Sequence, residues 1–347
     1  FNPSVETVYA ADVVTVARDF GWYDGTDADF SFSDVYAPVD FGAARFCEAR
    51  VWAGFNRVNS TMGEYLNYAM GYDLENRMPL WVKPDNKLIL EDVMGLMRDY
   101  YQNTPMDMTK DIGAGPYANT VRWRPMSWKV DGKEYLHERA TSTQQTGFSF
   151  VTQSRSWLPD PVGGILWFGV DDTYYTVYTP MYCGITSVPH SFAVGNGDMM
   201  TYSADAAFWV FNEVTNFVYS RANVMTPDLQ AKQKELEHKY MAETADIDAR
   251  AAELFNSTAK GAAKKGTDMI TAYSVNAGNN TVKECRELYK FLFTKYMDGN
   301  VKTRRPVPEG YKYIAPEVKQ PGYPQEWLMR IVIDAGDKLK VPESAGN

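Results

Sequence analysis

Histidine and cysteine are both scarce in this chain. The three histidines are His137, His190 and His238, and none has a second histidine or cysteine at metal-ligand spacing. The three cysteines, Cys47, Cys183 and Cys285, form neither a CxxC pair nor a zinc pattern. Their odd number leaves at least one thiol unpaired within the chain, and burial as small apolar side chains is the expectation for all three. No metal and no cofactor is implied. The GxSxG elbow, the Walker A loop, HExxH and GxGxxG are likewise missing. No apolar run reaches the ~18 residues of a membrane span, so no membrane partner is expected.

Positive charge is also in short supply. The formal net charge is -9, which argues against a general affinity for nucleic acid. The one dense basic cluster, Lys302, Arg304 and Arg305 before Pro306, reads as a solvated loop. The chain begins at Phe1 with neither Met nor a signal peptide, which implies processing or truncation. Compartment stays open, with a periplasmic or secreted location slightly favoured, and a homo-oligomer is left open.

Aromatic residues are plentiful instead, at 14%, with 23 Tyr and 9 Trp. They bury large areas while Tyr and Trp keep a polar handle. Val13, Val16, Ala17 and Phe20 recur at helical spacing and predict a helix over 4–19, stopped by Gly21. Residues 24–34 form an acidic loop without the ladder of a calcium site. Residues 50–80 read as irregular or short-stranded. Val93, Met94, Met97 and Tyr101 predict an amphipathic helix over 90–101, and residues 103–128 form a long loop rich in Pro, Gly and Trp.

The centre is β. Segments 138–153, 164–170 and 173–182 are rich in Thr, Val, Tyr and Phe and predict a meander, with Asp171 and Asp172 as turn residues. A helix follows over 206–221. Thr226 and Pro227 read as the start of another, and Thr281 with Glu284 as the capping box of a third. Strands and helices in separate blocks give an α+β chain. The organisation is one large domain: mixed helix and loop over 1–135, antiparallel strands over 136–200, helices over 201–300, and an extended tail over 301–347.

Several stretches carry a specific likeness. Residues 138–172, beginning Glu138-Arg-Ala-Thr-Ser-Thr and running through Gly164-Ile-Leu-Trp-Phe-Gly-Val-Asp-Asp172, resemble the PepD-type dipeptidases, relatives of the secernins. Thr176-Val-Tyr-Thr-Pro-Met-Tyr-Cys-Gly184 resembles the same family, as do Arg45–Trp52, Tyr72–Leu80 and Asp107–Tyr117. The likeness is best from about residue 40 to 220. It implies an N-terminal-nucleophile hydrolase fold, with stacked antiparallel sheets between helical layers. It also implies dipeptide hydrolysis by a cysteine at the mature N-terminus, whose own α-amine is the base. Such a base fits a chain so poor in histidine.

The chain departs from that pattern at the nucleophile. Residue 1 is Phe, and none of the three cysteines is terminal or followed by Thr. An N-terminal segment is therefore expected as a missing partner, the fold is incomplete without it, and the chain alone is predicted inactive. A small peptide is the expected substrate. Arg139 is the first candidate to clamp a dipeptide carboxylate. Thr141, Ser142 and Gln144 on the same stretch, and Asn119 with Arg122 and Arg124 in the long loop, are the further candidates. Two rivals remain: an amide hydrolase of the same fold acting on acyl amides such as penicillin V or conjugated bile salts, and a non-catalytic module whose aromatic loop grips sugar or peptide.

Overall fold

The computed structural model describes residues 8–342. It divides into two compact units, 1–87 and 88–347.

In the first unit, α1 (Val13–Asp19) buries Val13, Val14 and Ala17. The four positions predicted before residue 8 lie outside the described residues. Gly21, at φ +69°, ends the helix. Its left-handed backbone lets the Trp22 N–H reach back to the Ala17 carbonyl at 2.9 Å. The acidic loop is held by Arg18, which pairs with Asp27 at 2.6 Å and donates to the Gly25 carbonyl. Residues 50–69 are helical rather than short-stranded. In α2 (Ala49–Val58) Ala49, Trp52 and Ala53 share one buried face. The Trp52 indole N–H finds the Met62 carbonyl at 2.7 Å. That tertiary contact outweighs the weak helix propensity of Val, Trp and Gly in the segment.

The second unit is built on an antiparallel three-stranded meander: β3 (Phe148–Ser154), β4 (Gly164–Val170) and β5 (Thr179–Tyr182). Val151 lies opposite Trp167, and Trp167 opposite Pro180. Two further antiparallel ribbons occur: β1 (Ser127–Val130) with β2 (Lys133–Leu136), and β6 (Val301–Thr303) with β7 (Glu317–Lys319). The chain is thus α+β with small antiparallel sheets.

One face of the meander carries Val151, Ile165 and Trp167 into a core shared with Leu236, Tyr240, Ile270 and Ala277. Each such large side chain contributes ~1.5–3 kcal/mol on burial. The opposite face carries Phe148, Phe150, Leu166 and Phe168. Here Phe148 is 60% and Phe150 46% exposed, so the β3 side of this face is uncovered, while Phe168 packs on Phe192 at 5.6 Å.

Helix α3 (Leu90–Met97) stops earlier than predicted. Tyr101 takes φ 63° with its side chain buried, as the chain turns into the long loop. Helix α4 (Ala207–Tyr219) matches its apolar spacing. Helices α5 (Ala222–Asn256) and α6 (Ala262–Tyr296), each of 35 residues, form an antiparallel hairpin. Asp228 near the start of α5 pairs with Lys295 near the end of α6 at 2.5 Å.

Two predicted helix starts are therefore interior positions. Pro227 lies within α5, because the turn before it is held by the burial of Ala222 and Met225. Thr281 lies within α6. Its hydroxyl bonds back to the Ala277 carbonyl at 2.9 Å and meets Tyr240 Oη at 2.8 Å, so it caps nothing. The tail is not wholly extended, since α7 (Gln325–Ala335) lies within it.

Candidate active site

The stretch 137–147 links β2 to β3 and carries most of the expected site residues. Three anchors hold it. The Tyr101 hydroxyl donates to the Arg139 carbonyl at 2.8 Å. The Ser142 N–H donates to the Asp99 carbonyl at 3.0 Å. The Ser142 hydroxyl donates to the Asp172 carboxylate at 2.6 Å.

Asp171 and Asp172 end β4. They do occupy a turn: Asp171 sits at φ 71°, and the Tyr175 and Thr176 N–H groups return to the Asp172 carbonyl at 3.0 and 2.9 Å. Both side chains, however, are buried. Asp172 also accepts from the Tyr219 hydroxyl at 2.7 Å and the Tyr174 N–H at 3.1 Å. Asp171 accepts from the Thr215 hydroxyl at 2.5 Å, and its own N–H donates to the Gly147 carbonyl at 3.1 Å. The turn thereby ties α4 to both ends of the 142–147 loop.

Burial raises both acids. Asp171 is pushed up to about 8, with the Thr215 hydrogen bond opposing and the Asp172 charge adding to the rise. Asp172 is raised by burial against its bonds from Ser142 and Tyr219. The Tyr219 phenol is raised by burial and then by the Asp172 charge, so it stays a donor.

The expected residues separate into two groups. Ser142 and Asn119 are buried. The Asn119 amide donates to the Tyr219 carbonyl at 3.0 Å. The Gln144 amide donates to the Arg122 carbonyl. The buried Arg122 guanidinium reaches the Met108 carbonyl and pairs with Asp111 at 3.0 Å. Nearby, His137 is lowered by burial and then by the Arg122 charge. These side chains are committed to the protein itself.

Arg139 and Thr141 differ. Both are half-buried, and neither side chain has a hydrogen-bond or ion-pair partner among the described residues. Arg124 is exposed and donates to Gln145 at 3.1 Å. Trp123, 60% exposed, stands edge-on to Tyr219 at 6.0 Å. Sequence reasoning missed Asp99, Tyr101, Thr215 and Tyr219. Only the paired Asp after an apolar strand signalled that something lay there.

A cavity of about 340 Å³ opens beside Gly147, walled by Phe148, Phe168, Phe192, Phe208 and Trp209. Among the described residues no group of three His, Cys, Asp or Glu is set to hold a metal.

The cysteines correct one expectation. Cys285 is buried, and burial pushes its thiol up to about 12, but Cys47 and Cys183 are exposed. Cys47 sits in the π-helical turn Ala44–Glu48, which buries Ala44 and Arg45 instead. Cys183 follows β5 just where the strand leaves the core. No cysteine is hydrogen-bonded to a histidine among the described residues.

No curated protein matches the chain. The family model described as peptidase family C69 matches residues 1–235, which takes in the meander, the 137–147 stretch, α4 and the start of α5. With more than half of its residues matched, the chain belongs to peptidase family C69, a family of cysteine peptidases.

Proposed function

We propose that the protein built on this chain hydrolyses dipeptides, and that Arg139 holds the substrate's terminal carboxylate. The observation that carries this reading is the Arg139 guanidinium. It is accessible and unpaired among the described residues, on a backbone pinned by Tyr101 at residue 139 and by Asp99 and Asp172 at residue 142. A rigid backbone and a free fork of N–H donors are what bidentate recognition of a carboxylate needs. Thr141 offers a hydroxyl from the same linking stretch, while Ser142, Gln144 and Asn119 act by positioning.

The nucleophile in this reading is a cysteine at a mature N-terminus, on a segment that precedes Phe1. Its thiol attacks the peptide carbonyl and its α-amine takes the thiol proton. That proton passes to the departing amine, and water then cleaves the thioester to free the second amino acid. None of the three cysteines here suits that part, so the chain without the segment is inactive. The exposed Phe148 and Phe150 on the outer face of β3 support the stacked-sheet fold, because a second sheet would bury them.

The test compares free and C-terminally amidated dipeptides on the full-length enzyme and on Arg139→Ala. The expected loss in kcat/KM is about a hundredfold for the free dipeptide and slight for the amide. Equal losses on both would remove Arg139 as the carboxylate clamp. The aromatic cavity favours a second reading, hydrolysis of acyl amides, in which an aryl group fills it. An enzyme that turns over penicillin V but not free dipeptides would select that reading.

A further inference from the structure

The basic residues at 302–305 do not stand alone in the fold. The end of α6, strand β6 and the loop after it enclose a cleft of about 860 Å³. Its walls bring Lys290 and Lys295 from α6 and Lys312 from the loop to join Lys302, Arg304 and Arg305, against a single carboxylate, Glu287. Lys290 is paired with Glu287 at 2.7 Å and Lys295 with Asp228 at 2.5 Å, and Lys302 donates to the Thr294 carbonyl at 3.1 Å. Arg304, Arg305 and Lys312 are exposed and have no anionic partner among the described residues. Two exposed rings, Phe291 and Tyr313, also line the cleft.

Of the six cations in this concavity Lys290 and Lys295 have carboxylate partners, and the other four, on a chain of net charge -9, repel one another unless an anion joins them. The chain's overall negative field disfavours a long polyanion lying across its surface, but a compact anion inside the cleft meets mainly the local charge. Two adjacent arginines present paired N–H donors that match phosphate oxygens. The cleft also lies wholly outside residues 1–235, the stretch matched to the peptidase family, so the peptidase reading does not account for it.

We propose that this cleft binds a compact polyphosphate anion, with Arg304, Arg305 and Lys312 as its principal contacts. The source is either an inorganic polyphosphate or a nucleoside polyphosphate whose base stacks on Tyr313.

Calorimetric titration of the chain with tripolyphosphate, in ~20 mM salt to limit screening, tests the proposal. One-to-one saturable binding is expected. It should weaken at least about tenfold in the Arg304→Glu/Arg305→Glu variant. It should change less than roughly twofold in Arg250→Glu/Lys264→Glu, which makes the same charge change at the other end of the helix hairpin. Absence of saturation, equal loss in both variants, or binding only to phosphatidylglycerol vesicles would overturn it. Titration with ATP separates the two sources. Tighter binding than tripolyphosphate, lost in Tyr313→Ala, assigns a nucleoside polyphosphate, and equal binding assigns an inorganic one; either result supports the phosphate site.

Discussion

The Ser142 hydroxyl donates to the Asp172 carboxylate at 2.6 Å, and both side chains are buried. This contact joins the loop that carries Arg139 to the end of β4. The Tyr219 hydroxyl adds α4 to the same carboxylate. Three segments distant in sequence thus share one buried acid. Removing the Ser142 donor leaves that oxygen of the buried carboxylate with the Tyr174 N–H alone, at 3.1 Å. Ser142→Ala should therefore destabilise the fold by about 1–3 kcal/mol. A urea titration would show this as a lower midpoint at unchanged slope, whereas an unchanged midpoint would mean that the bond is dispensable.

Asp171 gives stability a pH dependence. Its folded-state value, about 8, lies far above its ordinary 3.8, chiefly through burial. Between those values the folded chain keeps a proton that the unfolded chain has released, so lowering the pH favours folding. The contribution is fully present below about pH 4 and is lost as pH rises through about 8. Asp171→Asn cannot ionise, so it should fall off less steeply with pH. Urea midpoints at pH 5 and pH 7.5 for both proteins would reveal this, and parallel changes would refute it.

A second buried charge depends on a partner. The Arg98 guanidinium pairs with Glu237, donates to the Thr173 and Thr176 carbonyls at 3.3 Å each, and lies 5.2 Å from the Tyr178 ring centroid. Burial raises the Glu237 carboxyl while the Arg98 charge opposes that rise. Arg98→Met would strand the carboxylate, costing ~3–5 kcal/mol. Adding Glu237→Leu should recover much of that loss. A double-mutant cycle in denaturant measures the recovery, and strict additivity would deny the coupling.

Thiol accessibility separates the three cysteines. Cys47 and Cys183 should react with an aromatic disulfide reagent in the native chain. Cys285, buried with its thiol pushed up to about 12, should react only on unfolding. The release of coloured thiolate before and after adding guanidinium counts them. Native reaction of all three would place Cys285 on a segment that opens readily.

Much of the second unit was legible in the sequence, because its signals are local. Strand composition and the Gly and Pro breaks between strands are enough to place β3, β4 and β5, but 138–147 and 173–178, expected as strand, are loop because their polar groups bond to Asp99, Asp172 and Tyr101 rather than to a neighbouring strand. Apolar spacing is enough for α4. The motif-rich centre also carried the family likeness, within the stretch later matched to C69. Local signals misled where tertiary contacts outbid them. Thr281 and Glu284 have the spacing of a capping box, but Tyr240 and the Ala277 carbonyl occupy the Thr281 hydroxyl. Residues 50–69 look irregular until Met62 accepts from Trp52.

By itself the sequence determined the α+β class, the antiparallel meander and the peptidase kinship. The tertiary structure alone decided which polar residues are free to act. Ser142, Thr215 and Tyr219 lie 30, 44 and 47 positions from the acids they meet. No spacing rule spans such separations, so only folding could turn Asp171 and Asp172 inward and leave Arg139 unpaired among the described residues. The same holds for the basic cleft, where three cations at 302–305 become six because α6 and the loop after β6 close around them. Charge adds up by distance in space rather than along the chain.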